Sequence, residues 1–345
     1  MLAALAIVGL AAPLRAFDLQ FTIGSPETFL PGQIAILNTA LAQVEQFWES
    51  RITGYAPGIN IATVPISINP STSGLASASF SGSLSAGGFN VSTSGFVNIN
   101  IMEINNFANW QGDEPNGLNF IDELLAHEVG HVLGIGTQWS NNNVYVFNTF
   151  QYTGQYGAAA YAAEFNDSIL YAPVENAGNP GTPNAHWDQL MRSSVQEGTG
   201  GSGGDPFLLD PRVGATDPWG RDRGLELMTG AIDPDWREPF VARFTIQSLR
   251  DLGYTVTEFE DVNGDGLIDV SDRNILLANV GMTGLQINGI SFGDVDRDRD
   301  VDMADFVLWQ HAVGTPEPGS AVLAASTLLA GIASRRRATS PRRSR

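Results

Sequence analysis

The residues best suited to chemistry form the sequence His-Glu-Val-Gly-His at positions 127–131. The preceding residues, 119–126, have apolar side chains at helical spacing and acids in the first turn, which predicts a helix. Residues four apart share one face of a helix, so His127 and His131 can direct ring nitrogens at one metal ion. Glu128 follows one ligand directly, where its carboxylate can take a proton from metal-activated water. The pattern indicates a zinc-dependent hydrolase.

Two histidines leave a zinc ion without its third protein ligand. Gly134 permits the helix to end in a left-handed turn, after which the chain can return toward the ion. Two residues downstream are candidates for the missing ligand. Glu164, in a helix-like segment, would complete a His-His-Glu site, whereas His186 would complete a three-histidine site. The residue types alone leave both open.

A third segment, Glu226-Leu-Met228-Thr-Gly230, looks like the Met-turn that passes beneath the zinc of metzincin peptidases. With residues 127–134 and the distant His186, it resembles the leishmanolysin-like metallopeptidases, in which a large insertion separates the second and third His ligands. Residues 239–254 match the closing helix of the bacterial members.

That resemblance spans roughly residues 16–256 and favours His186 over Glu164 as third ligand. It implies a zinc site of His127, His131 and His186 above Met228, with Glu128 as general base. The fold class that it implies is α+β, a mixed twisted sheet with an active-site helix, acting on protein or peptide substrates.

A second pattern is a repeat near the C-terminus, at residues 261–272 and 294–305. Oxygen ligands at loop positions 1, 3, 5, 9 and 12, with a backbone carbonyl at position 7, suit a large hard cation with six to eight ligands, namely Ca²⁺. The ligands expected in the first loop are Asp261, Asn263, Asp265, Leu267, Asp269 and Asp272. Those expected in the second loop are Asp294, Asp296, Asp298, Asp300, Asp302 and Asp305.

Each loop leads into a predicted helix, at residues 271–280 and 303–313. Asp at position 12 and the duplicated loop–helix unit resemble type I dockerins over residues 259–315. The resemblance implies a small all-α module that folds on binding Ca²⁺ and that docks through loop positions 10 and 11, either on a cohesin-like partner or on the catalytic domain. These positions are Val270, Ser271, Met303 and Ala304. The second loop has Arg299 where Gly normally permits a sharp turn, which predicts weaker Ca²⁺ binding there.

The composition narrows the class of protein. The chain has 345 residues, of which 43% are hydrophobic, as in a globular protein of about two domains. Acidic residues outnumber basic ones by 37 to 18, and a net charge of -19 disfavours nucleic-acid partners. There is no Cys, so disulfides and thiolate metal sites are excluded.

Both termini have the composition of targeting segments. An apolar run at residues 2–12 predicts an export signal with cleavage near Ala16. At the other end, Pro-Glu-Pro at 316–318 precedes an apolar stretch and an Arg-rich tail, which resembles the PEP-CTERM sorting signal of Gram-negative bacteria. That resemblance implies processing by an exosortase-type enzyme and a transient membrane anchor.

The sequence therefore predicts four segments: a signal peptide at 1–16, a peptidase domain at 17–257, a calcium module at 258–315 and a sorting signal at 316–345. Within the peptidase domain we expect a helix at 33–47, β-rich runs at 59–68 and 96–104, an irregular or edge-strand excursion at 71–95 and a flexible loop at 198–204. The predicted function is that of an extracellular or cell-surface zinc endopeptidase. The alternative is a non-catalytic surface or matrix protein that uses the calcium module for binding.

Overall fold

The structure is a computed structural model that describes residues 17–109, 120–166, 168–176, 178, 180–188, 217–219, 221, 223–230 and 239–314. The expected signal peptide, the Gly-rich loop at 198–204 and the sorting signal lie outside the described residues. Among the described residues, no helix combines the length and the apolar character needed to cross a membrane.

The chain forms eight strands and seven α-helices within the described residues. The strands are β1 (Leu19–Ile23), β2 (Ile52–Tyr55), β3 (Val64–Ser71), β4 (Ala76–Ala86), β5 (Phe89–Asn100), β6 (Gln151–Tyr152), β7 (Ala172–Pro173) and β8 (Tyr254–Val256). The helices are α1 (Pro31–Arg51), α2 (Ile104–Asn109), α3 (Ile121–Leu133), α4 (Gln155–Glu164), α5 (Arg243–Ser248), α6 (Val270–Asn279) and α7 (Met303–Gly314).

The main sheet is mixed, with strand order β1-β3-β5-β4. The pairs β1–β3 and β3–β5 are parallel, and β4 runs antiparallel to β5 at the edge. In β3 the side chains of Val64, Ile66 and Ile68 are buried and alternate with more exposed neighbours, so one face of the sheet packs on the core. The α+β class is thus confirmed, with a twisted mixed sheet as its scaffold.

Helices α1 and α3 cover that buried face. In α1, Leu37, Leu41, Val44 and Trp48 recur at helical spacing and are all buried, which is why this segment forms a long helix against the core. The Trp48 indole N–H donates to the carbonyl of Ala126 at 3.3 Å, which fixes α1 against α3.

The segment at 71–95 is more regular than the sequence predicts. It holds β4 and the first half of β5, which pair antiparallel around a tight turn at Gly87 and Gly88, both with positive φ. The small Ser, Gly and Ala side chains do not alternate between hydrophobic and polar. The sequence therefore predicts an edge strand only as one of two alternatives for this segment. Residues 239–254 also differ from one closing helix, since α5 gives way to a 3₁₀ turn at Leu249–Leu252 and then to β8.

The C-terminal module packs directly on the rest of the chain. Its two helices, α6 and α7, contact each other, and the 3₁₀ segment Ile287–Phe292 between them lies against α1. The buried side chains of Leu276, Ile290 and Val301 belong to one apolar cluster together with Leu37 of α1. The described residues therefore share a single core that extends through the module.

Candidate functional site

Helix α3 carries the His-Glu-Val-Gly-His sequence across the floor of a cleft. The helix is buried along its whole length, and it ends where Gly134 takes a left-handed conformation with φ of 115°. The Gly134 N–H meets the carbonyls of Gly130 and His131, so the chain turns sharply away after the second histidine. This turn lets the following residues approach the site again.

Three imidazoles meet at one point of the cleft. The Nε2 atoms of His127 and His131 are 3.0 Å apart, and the Nε2 of His186 is 3.2 Å and 3.0 Å from them, respectively. His186 comes from a segment far along the chain, while Glu164 is not part of the cluster. The structure thus brings together the three residues that the sequence offers for a three-histidine site.

The outer nitrogen of each ring faces a backbone carbonyl. His127 Nδ1 is 2.6 Å from the oxygen of Leu227, His131 Nδ1 is 2.9 Å from that of Ile135, and His186 Nδ1 is 2.8 Å from that of Thr182. A carbonyl only accepts, so each Nδ1 carries the proton and each Nε2 directs a lone pair inward.

Three inward lone pairs at this distance repel one another unless a cation lies between them. Tetrahedral Zn–N bonds of about 2.0–2.1 Å place ligand nitrogens roughly 3.3 Å apart, close to the spacing observed here. Burial lowers the pKa of all three rings, that of His127 to about 3, which keeps them neutral as metal ligands must be. The donor set therefore fits Zn²⁺.

Glu128 lies beside this cluster and lines the same cleft, which has a volume of about 360 Å³. Its side chain is buried, and its Oε2 has no hydrogen-bond partner among the described residues. Burial raises the pKa of its carboxyl group to about 8. A buried acid oxygen without a partner is costly, and side chains with pKa values shifted in this way are concentrated at functional sites.

The segment around Met228 packs against α3 next to its two histidines. The Met228 side chain is fully buried, and its Sδ would be only 2.6 Å from a Cβ placed on Gly130, between the two histidines of α3. The Leu227 carbonyl orients His127, and the Trp187 N–H donates to the Met228 carbonyl at 3.0 Å. The turn thereby fixes the position of α3 relative to the segment that carries His186.

Glu226 is a residue whose role the sequence analysis missed. Its Oε2 accepts from the Met228 N–H at 2.7 Å, and its Oε1 accepts from the Thr245 hydroxyl at 2.6 Å. The Trp187 indole donates to the same hydroxyl at 2.9 Å, so one carboxylate links the turn, α5 and the neighbour of His186. Burial raises the pKa of Glu226 to about 7. An acid inside the apolar run 225–228 was the signal that could have found it.

Glu164, the other candidate ligand, has a structural role. It is the last residue of α4, and its two carboxylate oxygens accept the backbone N–H groups of Arg243 and Phe244 at 3.0 Å each. These are the first residues of α5, so Glu164 satisfies a helix N-terminus. His311 lies on the exposed side of α7 and is not part of the histidine cluster.

The two acidic loops have the same local structure. In the first, Asp261 accepts from the N–H groups of Asp265 and Gly266; in the second, Asp294 accepts from those of Asp298 and Arg299. The last loop residues, Asp272 and Asp305, accept backbone N–H groups of their own loops in the same way. Both loops lead into helices, α6 and α7, as the repeat predicts.

Carboxylates converge most closely in the second loop. Oxygens of Asp294, Asp296 and Asp305 lie within 4.8 Å of one another, and Asp300 and Asp302 form a second such group with Asp305. Burial, followed by the charges of neighbouring carboxylates, raises the pKa of Asp294 well above its ordinary value. Within the described residues, the first loop shows no equally close group of three acids. Its expected ligands also include the Asn263 amide and the Leu267 carbonyl.

No protein-family model matches this chain, and no curated protein matches it significantly.

Proposed function

We propose that the protein is an exported zinc endopeptidase of the leishmanolysin-like, metzincin type, with a dockerin-like calcium module at its C-terminal side. The observation that carries the proposal is the convergence of the His127, His131 and His186 Nε2 atoms beside the partnerless carboxylate oxygen of Glu128. A polar helix face without a metal would not gather three inward lone pairs in one place.

In this proposal His127, His131 and His186 would hold Zn²⁺, which when bound supplies the Lewis acidity that makes water a nucleophile near neutral pH. Glu128 accepts the proton of the attacking water and delivers it to the leaving amine. Leu227, Ile135 and Thr182 keep the three rings in the required tautomer through their carbonyls.

The cleft favours an extended polypeptide as substrate. Ala76, Ser77 and Ala78 of the edge strand β4 line it together with the three histidines. A sheet edge offers unpaired backbone N–H and C=O groups, onto which an extended chain can add as a further strand. The small side chains of Ala76, Ser77 and Ala78 leave room for that chain beside Glu128.

The deciding experiment compares Glu128→Gln with the wild-type protein in a peptide-cleavage assay. The amide keeps the size of the side chain but cannot accept the proton, so cleavage falls at least about 100-fold. Zinc content, measured by plasma mass spectrometry, stays near one ion per chain in both proteins. The control is Glu27→Gln, which removes an exposed carboxylate and leaves cleavage unchanged. Unchanged cleavage in Glu128→Gln would refute the assignment.

Removal of the metal gives a second test of the same proposal. A chelator abolishes cleavage, and added Zn²⁺ restores it. The variant His186→Ala loses both zinc and activity, whereas Glu164→Gln keeps its zinc because that carboxylate serves α5.

The second candidate function is Ca²⁺-dependent protein binding through the module. Val270 and Met303, at position 10 of the two loops, are more than half exposed although apolar. Such residues suit a cohesin-like partner, which a Val270→Asp, Met303→Asp double variant would no longer bind. Export and exosortase-type processing at the cell surface remain part of the proposal.

A further inference from the structure

The second calcium loop differs from the first at two positions where the backbone is left-handed. Gly264 and Gly266, at positions 4 and 6 of the first loop, have φ of 71° and 86°. Their counterparts in the second loop are Arg297 and Arg299, with φ of 66° and 72°. Each arginine bears a conformational cost that glycine avoids, and contacts of its side chain can offset that cost.

Both arginine side chains are buried in the peptidase domain. The Arg299 guanidinium lies 2.5 Å from the carboxylate of Glu123, and both side chains are at least nine-tenths buried. Arg297 lies 3.3 Å from Glu164 and donates to the carbonyl of Val241 at 2.5 Å. The loop therefore contacts this chain's own catalytic domain through residues that the loop consensus does not require.

Glu123 belongs to the first turn of α3 and lies one turn before His127 on the same face of the helix. The neighbouring Asp122 accepts the Ile287 N–H of the module at 2.8 Å. Two adjacent carboxylates in a buried site repel each other, and Arg299 supplies the positive charge that offsets this repulsion. The start of the histidine-bearing helix is thus held by the module.

The expected calcium ligands hold Arg299 in turn. Asp294 Oδ2 accepts the Arg299 N–H at 3.1 Å. Asp296 is buried and its Oδ1 has no partner among the described residues, although its carboxylate lies with those of Asp294 and Asp305. A buried oxygen without a donor, inside a group of carboxylates, fits a bound cation and not a self-sufficient turn.

We propose that Arg299 is a positioning residue for the zinc site. Ca²⁺ in the second loop fixes the backbone of Arg299, so that its side chain contacts Glu123 of α3. This inference rests on the proposed function, since it takes both metal sites as given. Without Ca²⁺ the loop carboxylates repel one another, Arg299 loses its fixed backbone, and Glu123 loses its counter-ion. The two histidines of α3 then meet His186 less accurately.

The test uses the full chain freed of metals, with Co²⁺ as the probe of the histidine site. Its visible absorption reports coordination geometry, and a titration gives the Co²⁺ affinity with and without Ca²⁺. In the wild-type protein Ca²⁺ raises that affinity at least about fivefold and changes the spectrum. In Arg299→Gly the loop still binds Ca²⁺, because glycine relaxes its backbone, but the gain in Co²⁺ affinity disappears. The control Arg273→Ala removes an exposed arginine of α6 and keeps the gain.

A second variant protects the test against misfolding. Glu123→Gln leaves the calcium loop intact and removes the charge that Arg299 meets, so it also loses the gain. The double variant Arg299→Gly, Glu123→Gln is no worse than either single variant. A wild-type protein without a calcium effect on Co²⁺ binding, or an Arg299→Gly variant with the full effect, would overturn the inference.

Failure of the inference is distinct from failure of the proposed function. Peptide cleavage that ignores Ca²⁺ would contradict only the coupling between the two metals. Coupled Co²⁺ and Ca²⁺ binding without any cleavage would contradict only the peptidase.

Discussion

Gly136 is the position at which a single methyl group should separate the third histidine from the other two. A Cβ built on Gly136 would lie 2.0 Å from the carbonyl oxygen of Ala185 and 2.9 Å from its Cα. These are backbone atoms of the residue before His186, so they cannot rotate away. Ordinary van der Waals contact begins at 3.4 Å, and the two segments must therefore separate by more than an ångström.

The expected effect of Gly136→Ala follows from that displacement. Metal sites tolerate ligand shifts of only about 0.2 Å, and an error of about 1 Å in a catalytic group can reduce the rate by about 100-fold. The variant also bears the cost of a left-handed alanine, about 1–2 kcal/mol of folding stability, because φ at this position is 76°. We expect zinc affinity and cleavage to fall by at least that factor of about 100, and stability to fall more modestly.

The assay measures zinc retention against a competing chelator, together with peptide cleavage and the unfolding free energy. The matched control is Gly88→Ala in the β4–β5 turn, where φ is also positive at 90° but no atom lies within 4 Å of the new Cβ. Equal zinc retention in Gly136→Ala and Gly88→Ala would refute the reasoning, since it would mean that the clash with Ala185 does not displace His186.

Two further predictions concern the buried charges. Glu226 has a pKa of about 7 against an ordinary 4.5, so the folded state binds its proton more tightly and the unfolding free energy falls as the pH rises through that interval. The decrease is up to about 3 kcal/mol, and Glu226→Gln should remove it when denaturation is measured over a series of pH values. If the pH dependence of the unfolding free energy is unaltered in Glu226→Gln, Glu226 is not the group responsible. Arg51, fully buried, donates to the carbonyls of Glu258 and Asp261 at 2.5 and 2.7 Å. Arg51→Met should therefore lower stability by about 1–3 kcal/mol, whereas Arg273→Met, at an exposed position of α6, should not, as chemical denaturation will show.

Much of the geometry of the candidate site could be predicted because it depends on residues close together in sequence. The four-residue spacing of His127 and His131 requires only a helix, and the helix is observed with Gly134 at its end. The acid repeat likewise encodes two loops in which the first and the last aspartate accept corresponding backbone hydrogen bonds. The position of His186 required a resemblance, since nothing in the residues between it and His131 specifies that the chain returns to the helix.

The remainder depends on contacts between distant segments. Apart from the Met228 N–H of its own turn, the groups around Glu226 are remote in sequence. Thr245 donates to Glu226 and Trp187 donates to Thr245, and both come close only in the folded chain. From the sequence, Arg299 at a position usually occupied by glycine predicts only weaker Ca²⁺ binding by the second loop. Its counter-ion, Glu123, is remote in sequence, so only the folded chain shows what the arginine contacts.

The continuity of the apolar interior has a consequence for engineering this chain. Leu276, Ile290 and Val301 of the module lie in the same cluster as Leu37 and Trp48 of the long helix α1. A truncation before residue 258 would expose apolar surface on α1. It would also leave Asp122 and Glu123, at the start of α3, without their partners Ile287 and Arg299. The C-terminal module consequently cannot be replaced by an affinity tag without loss of stability. On heating, the module and the rest of the chain should unfold in one transition.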